Sequence, residues 1–173
     1  YHATNQNILC SNKVRYVGEP IAAILADSRY IAEDAAELIE VDLLNLEPVI
    51  NTTESSKPHS AILHEEINSN VILERTFDKG DKKFLKDVNL LSVKNIFKMT
   101  RKSPLSMEPR SYACNVDKLS NVLTLYSSTQ VPGVIKDALS LFLKIPGNKL
   151  NVIAPDVGGG FGGKASLYPE EII

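Results

Sequence analysis

Ile31, Ala35, Leu38 and Ile39 fall at i, i+4, i+7 and i+8, the spacing that stacks side chains on one face of a helix. Asp27 and Ser28 stand just before that stripe as N-cap residues. Glu33 and Asp34 lie early in it, where the helix dipole favours negative charge. Upstream, residues 14–17 read as a short strand. Gly18-Glu19-Pro20 is turn chemistry, and residues 21–26 read as a buried strand of small side chains. Downstream, residues 40–44 alternate toward another strand. The pattern over residues 13–46 therefore predicts strand, turn, strand, helix, strand.

The polar stretch 51–58 has no periodicity, and prolines stand at Pro48 and Pro58, so it reads as a linker. Beyond it, Val71, Leu73, Arg75 and Phe77 alternate as in a strand. Residues 78–81 form a turn, and the lysine-rich stretch 82–90 predicts a short helix carrying Phe84, Leu85 and Val88. Residues 91–99 predict a strand. Residues 112–116 and 122–126 predict a hairpin about a turn at 117–121. Pro132 suits the first position of a helix. The stripe Ile135, Ala138, Leu139, Phe142 and Leu143 follows, and Pro146-Gly147 ends it. Residues 149–154 predict a last strand, and no internal repeat is visible.

Composition narrows the class. Hydrophobic residues at 43% and charged residues at 23% are a globular balance. The longest uncharged apolar stretch, residues 20–26, is far short of the ~20 residues of a membrane span. No basic, apolar and cleavage regions open the chain, so secretion has no support and a cytoplasmic protein is expected. A net charge of -2 from 19 basic and 21 acidic residues argues against a nucleic-acid binder. Cys10 and Cys114 are too far apart in sequence for a thiolate metal site and are expected to be reduced and inert. His2, His59 and His64 lack metal-ligand spacing; His59 and His64 are expected to be exposed linker residues. The 173-residue chain begins without Met and stops soon after a glycine-rich loop, which predicts a piece of something longer.

That loop, Asp156-Val157-Gly158-Gly159-Gly160-Phe161-Gly162-Gly163-Lys164, is the most informative segment. Five of the six residues 158–163 are glycine. Such a run presents backbone N–H groups with no Cβ in the way, and its natural partner is an anion or a flat ligand. Gly158, Gly163 and Lys164 satisfy most of a phosphate-binding P-loop pattern. Ala165 breaks it, because the Ser/Thr that would ligate Mg2+ is missing, and Pro169 stands soon after.

The loop also belongs to a wider set. Val14-Arg15-Tyr16-Val17-Gly18-Glu19-Pro20-Ile21-Ala22-Ala23, the helix over 32–39, Ser106-Met107-Glu108-Pro109-Arg110, Ser127-Ser128-Thr129-Gln130-Val131-Pro132, the glycine loop and Tyr168-Pro169-Glu170-Glu171 resemble the molybdenum hydroxylases. That family comprises the aldehyde oxidases, xanthine dehydrogenases and aerobic carbon monoxide dehydrogenases. The segments occur in the family's order and cover nearly the whole chain from Lys13. The resemblance implies an α+β protein: residues 1–47 as the later half of an α/β hammerhead domain, 48–69 as a linker, and 70–173 as the opening part of the molybdopterin-binding domain.

It also implies a cofactor, molybdenum on molybdopterin, with Gln130, Gly160, Phe161 and Gly162 against it and no direct metal ligand. Family chemistry inserts water-derived oxygen at an aldehyde or heteroaromatic carbon, or oxidises carbon monoxide. A glutamate base activates the water, and electrons leave through iron–sulfur clusters to FAD on partner subunits or domains. That base is expected downstream of this chain, so no catalytic residue is assigned within it. The purine oxidisers carry an acidic residue where Ala165 stands, which turns the expectation from xanthine. The Met-Glu-Pro-Arg segment leans toward carbon monoxide or aldehyde oxidation.

Plainer roles remain for single residues. Gln130 at a strand-to-helix junction could cap or be solvated, Arg110 could pair with Glu108 at the surface, and Phe161 could plug the loop down. The lysines of 79–86 read as a solvated face balanced by Asp78, Asp81 and Asp87. At the level of the chain three readings stand: a hydroxylase large-subunit fragment that is inactive alone, a non-catalytic piece that binds partner subunits, and a nucleotide-binding module. An incomplete domain exposes apolar edges, so self-association is expected.

Overall fold

A computed structural model describes residues 1–80, 91 and 93–173. The helix predicted over 82–90, and Asp81 and Asp87, lie outside the described residues. The chain forms two compact units. One comprises Tyr1–Asn7, Arg15–Val17 and Ile24–Met99, and the other comprises Ile8–Val14, Gly18–Ala23 and Thr100–Ile173. Helices and strands are both present, as the α+β expectation requires.

The second unit holds the sheet. Strand β1 (Tyr112–Asp117) pairs antiparallel with β2 (Val122–Ser127), with Tyr112 opposite Ser127 and Asp117 opposite Val122. The turn between them is set by Asp117. Its carboxylate accepts from the Leu119 amide at 3.0 Å and the Ser120 hydroxyl at 2.6 Å, and its carbonyl accepts from the Asn121 amide at 2.8 Å. Helix α3 (Pro132–Leu143) carries the chain over to β3 (Leu150–Ile153), which pairs parallel with β2. A parallel neighbour needs such a crossover, and Pro132 starts it because a first-turn N–H needs no helical partner.

The core lies between α3 and the sheet. Ile135, Leu139, Leu125 and Leu150 are all buried, and Leu123, Leu143 and Val152 pack around them. Phe142, placed on the buried stripe by its spacing, is instead exposed.

The first unit is held by helix ends and side-chain staples. Helix α1 (Arg29–Glu37) starts at Ser28, whose hydroxyl accepts from the Ile31 amide at 3.3 Å. The helix stops at Glu37, so Leu38 and Ile39 of the predicted apolar stripe lie beyond it, and Ile31, Leu38 and Ile39 are exposed. Within the stretch read as a linker, Asn51 caps a one-turn helix, α2 (Thr52–Ser55), by accepting from the Thr53 and Glu54 amides. Asn70 accepts from the Leu63 amide and donates to the Ser55 and Ala61 carbonyls. His59 is exposed as expected. His64 is half-buried, a correction, with its Nδ1 3.3 Å from Glu66.

The strands expected at 14–17, 21–26, 40–44, 71–77 and the described part of 91–99 do not form. A strand needs a hydrogen-bonded neighbour, and in the 71–77 stretch the Ile72 carbonyl accepts one backbone bond, from the His2 amide. The buried strand expected at 21–26 is largely exposed as well. No helix among the described residues is long and apolar enough to cross a membrane.

Candidate functional site

Strands β2 and β3 run parallel, so their C-terminal ends lie side by side. Crevices at such ends are where open sheets hold ligands. From β2 emerges Ser127-Ser128-Thr129-Gln130, and from β3 emerges the glycine loop, so the topology joins two segments that stand some thirty residues apart in sequence.

Gln130 is bound into the loop. Its Oε1 accepts from the Gly162 amide at 3.0 Å and the Lys164 amide at 3.3 Å, and its own amide donates to the Lys164 carbonyl at 2.9 Å. Thr129 Oγ1 donates to that same carbonyl at 3.1 Å. Two backbone donors facing one end of the side-chain amide decide which end is oxygen. Nε2 therefore points elsewhere and donates to no acceptor among the described residues. This exceeds a capping role: the side chain links loop and strand and keeps both N–H donors of its NH2 group in reserve.

Gly160 explains its own identity. A Cβ there would lie 2.4 Å from Gln130 Oε1, so any other residue would expel the glutamine. Gly159 and Gly162 take φ of +94° and +90°, which only glycine adopts without strain. Phe161 takes φ +50°, an uncommon left-handed conformation for an aromatic residue, and it is 76% exposed. It is therefore no plug, although a side chain at 159 would meet its ring, with Cβ 3.0 Å from the ring edge. The amides of Gly158, Gly162, Gly163 and Lys164 are bonded within the protein. Those of Gly159, Gly160 and Phe161 find no acceptor among the described residues.

Lys164 ends the loop with its side chain 2% exposed, 2.7 Å from Glu108. The same Glu108 oxygen accepts from Ser128 Oγ at 2.8 Å and the Gly158 amide at 2.7 Å. The Lys164 bond first, then the Ser128 and Gly158 bonds, hold the Glu108 carboxyl down at about 2. Arg110 does not pair with Glu108 as expected. It reaches Glu170 at 3.2 Å and lies over the Tyr168 ring, because Lys164 already occupies the carboxylate. Tyr168 donates from its hydroxyl to the Gly163 carbonyl at 2.6 Å. Glu171, buried, accepts from Ser127 Oγ at 2.7 Å and the Tyr168 amide at 2.9 Å. Burial first, then the Glu171 and Glu170 carboxylates, push the Tyr112 phenol up to about 12, so it stays neutral.

Sequence reasoning named Gln130 and the loop but missed the Glu108–Lys164 pair and the Tyr168–Glu171 lock. A lysine directly after a glycine run was the available signal, and it points to a phosphate as readily as to a carboxylate. The geometry decides against a P-loop. The ammonium that would meet a phosphate is buried on Glu108, and turns rather than an α-helix follow the loop. No cluster of His, Cys, Asp and Glu among the described residues could hold a bare metal ion. The cysteines are free thiols.

The residues present fit a polar, flat cofactor. Three adjacent backbone amides and the Gln130 NH2 group are left without acceptors among the described residues, and Gly162 has open space where a side chain would stand. Such groups receive oxygen-rich ligands without offering a charge of their own.

Comparison with known proteins bears on this arrangement. Residues 63–173 match the family model of the molybdopterin cofactor-binding domain, and residues 1–47 match that of the aldehyde oxidase and xanthine dehydrogenase a/b hammerhead domain. The large subunit of nicotine 6-hydroxylase from Paenarthrobacter nicotinovorans is 34% identical over 99% of this chain and 21% of its own length. The carbon monoxide dehydrogenase large chain of Afipia carboxidovorans is 33% identical over 94% of this chain and 22% of its own. The crystal structure of quinoline 2-oxidoreductase from Pseudomonas putida 86 superposes with a TM-score of 0.85 at 33% identity. It covers 99% of this chain and 22% of that one. The chain thus spans about a fifth of the length of these relatives.

Proposed function

Since this chain belongs to the molybdopterin cofactor-binding domain family, we propose that it serves as part of the large subunit of a molybdenum hydroxylase. Residues 1–47 form the later half of its hammerhead domain, 48–69 the linker, and 70–173 the opening of its cofactor domain. The substrate is an aldehyde or carbon monoxide, and the added oxygen comes from water. The observation that carries this reading is the meeting of Gln130 with the glycine loop at the ends of two parallel strands. A carbon monoxide dehydrogenase large chain and an aldehyde oxidase stand among the relatives, and Ala165 carries no charge to engage a purine.

When bound, molybdopterin supplies a metal that accepts two electrons from substrate. The work of this chain is positional. Gln130 Nε2 and the amides of Gly159, Gly160 and Phe161 are the donors that would hold the cofactor's oxygen atoms. Phe161 lends an apolar surface at the rim. Gly160 leaves room for the Gln130 amide, and Gly162, with open space where a side chain would stand, would let the cofactor approach the backbone. No proton moves at these groups, because none is a titrating side chain; the base belongs to a segment beyond this chain. Iron–sulfur and FAD proteins receive the electrons, in the cytoplasm. The 173-residue segment alone has no oxidase activity and self-associates through its exposed apolar residues.

Nicotine 6-hydroxylase and quinoline 2-oxidoreductase are as similar as the carbon monoxide dehydrogenases, which favours a heteroaromatic carbon as the second reading. The complete complex, purified and analysed for metal and pterin, is expected to contain both. It should place oxygen-18 from labelled water into the product of an aldehyde, carbon monoxide or an N-heterocycle. A complex without molybdenum or pterin would refute the assignment.

A further inference from the structure

Three donors from two separated segments converge on a single oxygen of Glu108: Ser128 Oγ at 2.8 Å, the Gly158 amide at 2.7 Å and Lys164 Nζ at 2.7 Å. Gly158 and Lys164 are the two ends of the glycine loop. The buried Lys164 head needs a countercharge, and its backbone holds Gln130 on both sides, by N–H to Oε1 and by carbonyl to the Gln130 amide. A side chain at 158 could not coexist with this arrangement, since its Cβ would lie 2.6 Å from Glu108 Cβ.

We propose that Glu108 is a positioning residue that clamps both ends of the glycine loop. It thereby sets the direction of Gln130 Nε2 and of the three free amides between the ends. Glu108 does not touch the cofactor. It acts through Gly158 and Lys164, and an ion pair alone does not describe its role. The bond to the Gly158 amide and the bond to Lys164 both take part in the positioning. This deepens the functional reading above and rests on it for what the loop faces.

The test uses the longest natural polypeptide that carries this segment, prepared free of cofactor. Amide hydrogen exchange is followed in the wild type, Glu108→Gln, Lys164→Met and the Glu108→Gln/Lys164→Met double variant. Glu108→Gln should speed exchange at Gly158 and Lys164 by about tenfold or more, the scale of a lost charge-assisted bond, while Leu125 and Leu139 keep their protection. The double variant removes both charges and should stay fast, because the Gly158 amide still lacks its carboxylate. Glu108→Asp, which keeps the charge, should recover part of the protection. Unchanged exchange in Glu108→Gln, acceleration shared equally by Leu125 and Leu139, or full recovery in the double variant would overturn the proposal.

A second arm measures pterin released from the assembled protein by its fluorescence after oxidation. Glu108→Gln should retain severalfold less than wild type, and Glu108→Asp more than Glu108→Gln. A wild-type protein with no pterin at all would defeat the functional reading but leave the exchange result standing, so the two failures are distinguishable.

Discussion

At the scale of single residues, the site depends on what is absent as much as on what is present. Gly160 has no side chain because Gln130 occupies the space one would need, with Oε1 2.4 Å from the Cβ position. Gly160→Ala should therefore push Gln130 out, lower the bound pterin content, and cost about 1–3 kcal/mol in chemical denaturation, the usual range for overpacking. Adding Gln130→Ala should relieve the stability loss and leave the pterin loss. Phe161 holds a left-handed backbone at φ +50° while largely exposed. That conformation costs roughly 1–2 kcal/mol in a non-glycine residue. Phe161→Gly should leave thermal stability unchanged or slightly higher, since relieved strain is offset by glycine's greater unfolded freedom. The same variant should alter turnover in the full enzyme.

Glu108 sets the pH behaviour of the loop. Its carboxyl sits at about 2, below the ordinary 4.5, chiefly through Lys164. A depressed carboxylate contributes fully above its unfolded value, and the contribution is lost as pH falls through the folded value. The loop's exchange protection, corrected for intrinsic rates, should therefore be flat from neutral pH down to about 4.5 and fall between there and about 2. Loss of protection above pH 5 would show that another group controls the loop.

At the scale of elements, the contrast between helices and strands is instructive. Helix α3 was legible because its stripe, its N-terminal Pro132 and its terminating Pro146-Gly147 are all local signals, and two stripe residues, Ile135 and Leu139, make the core. Leu139→Ala should destabilise the cofactor-binding unit by about 2–5 kcal/mol, read as a lower melting temperature. The hairpin was legible because its two strands are each other's partners across an Asp117 turn. The isolated strands were not, since alternation marks a chain able to join a sheet without supplying the neighbour. Helix α1 shows the same limit in another form. Its Ser28 cap is the one expected, and Ser28→Ala should cost it about 1 kcal/mol, but it stops at Glu37, short of Leu38 and Ile39, and leaves Ile31 exposed.

At the scale of the molecule, the described residues leave Leu105, Met107, Phe97, Ile96 and Leu91 largely bare. A buried side chain of this size is stabilised by about 1.5–3 kcal/mol, and none of these gains it here. The segment expressed alone should bind an apolar dye strongly and sediment as more than a monomer. A dye-silent monomer would contradict the proposed fragment. Assembled with the remainder of a large subunit, the same residues should lose their dye binding.

Order and identity of segments sufficed to read the family: the glycine run, Ser127-Ser128-Thr129-Gln130 and the other motifs are strings of neighbouring residues, and strings survive in one dimension. Helix α3, the hairpin and the last strand were likewise set by short-range periodicity and turn residues. Folding in three dimensions settled the rest. It made Lys164 the partner of Glu108 rather than a phosphate ligand. It turned Arg110 to Glu170, buried Glu171 on Ser127, and left Phe161 open. Each of those outcomes depends on which side chains meet across tens of residues, and a buried charge takes the nearest partner the topology offers. Hydrophobic spacing can mark a surface for burial, but whether it is covered depends on where the rest of the chain goes.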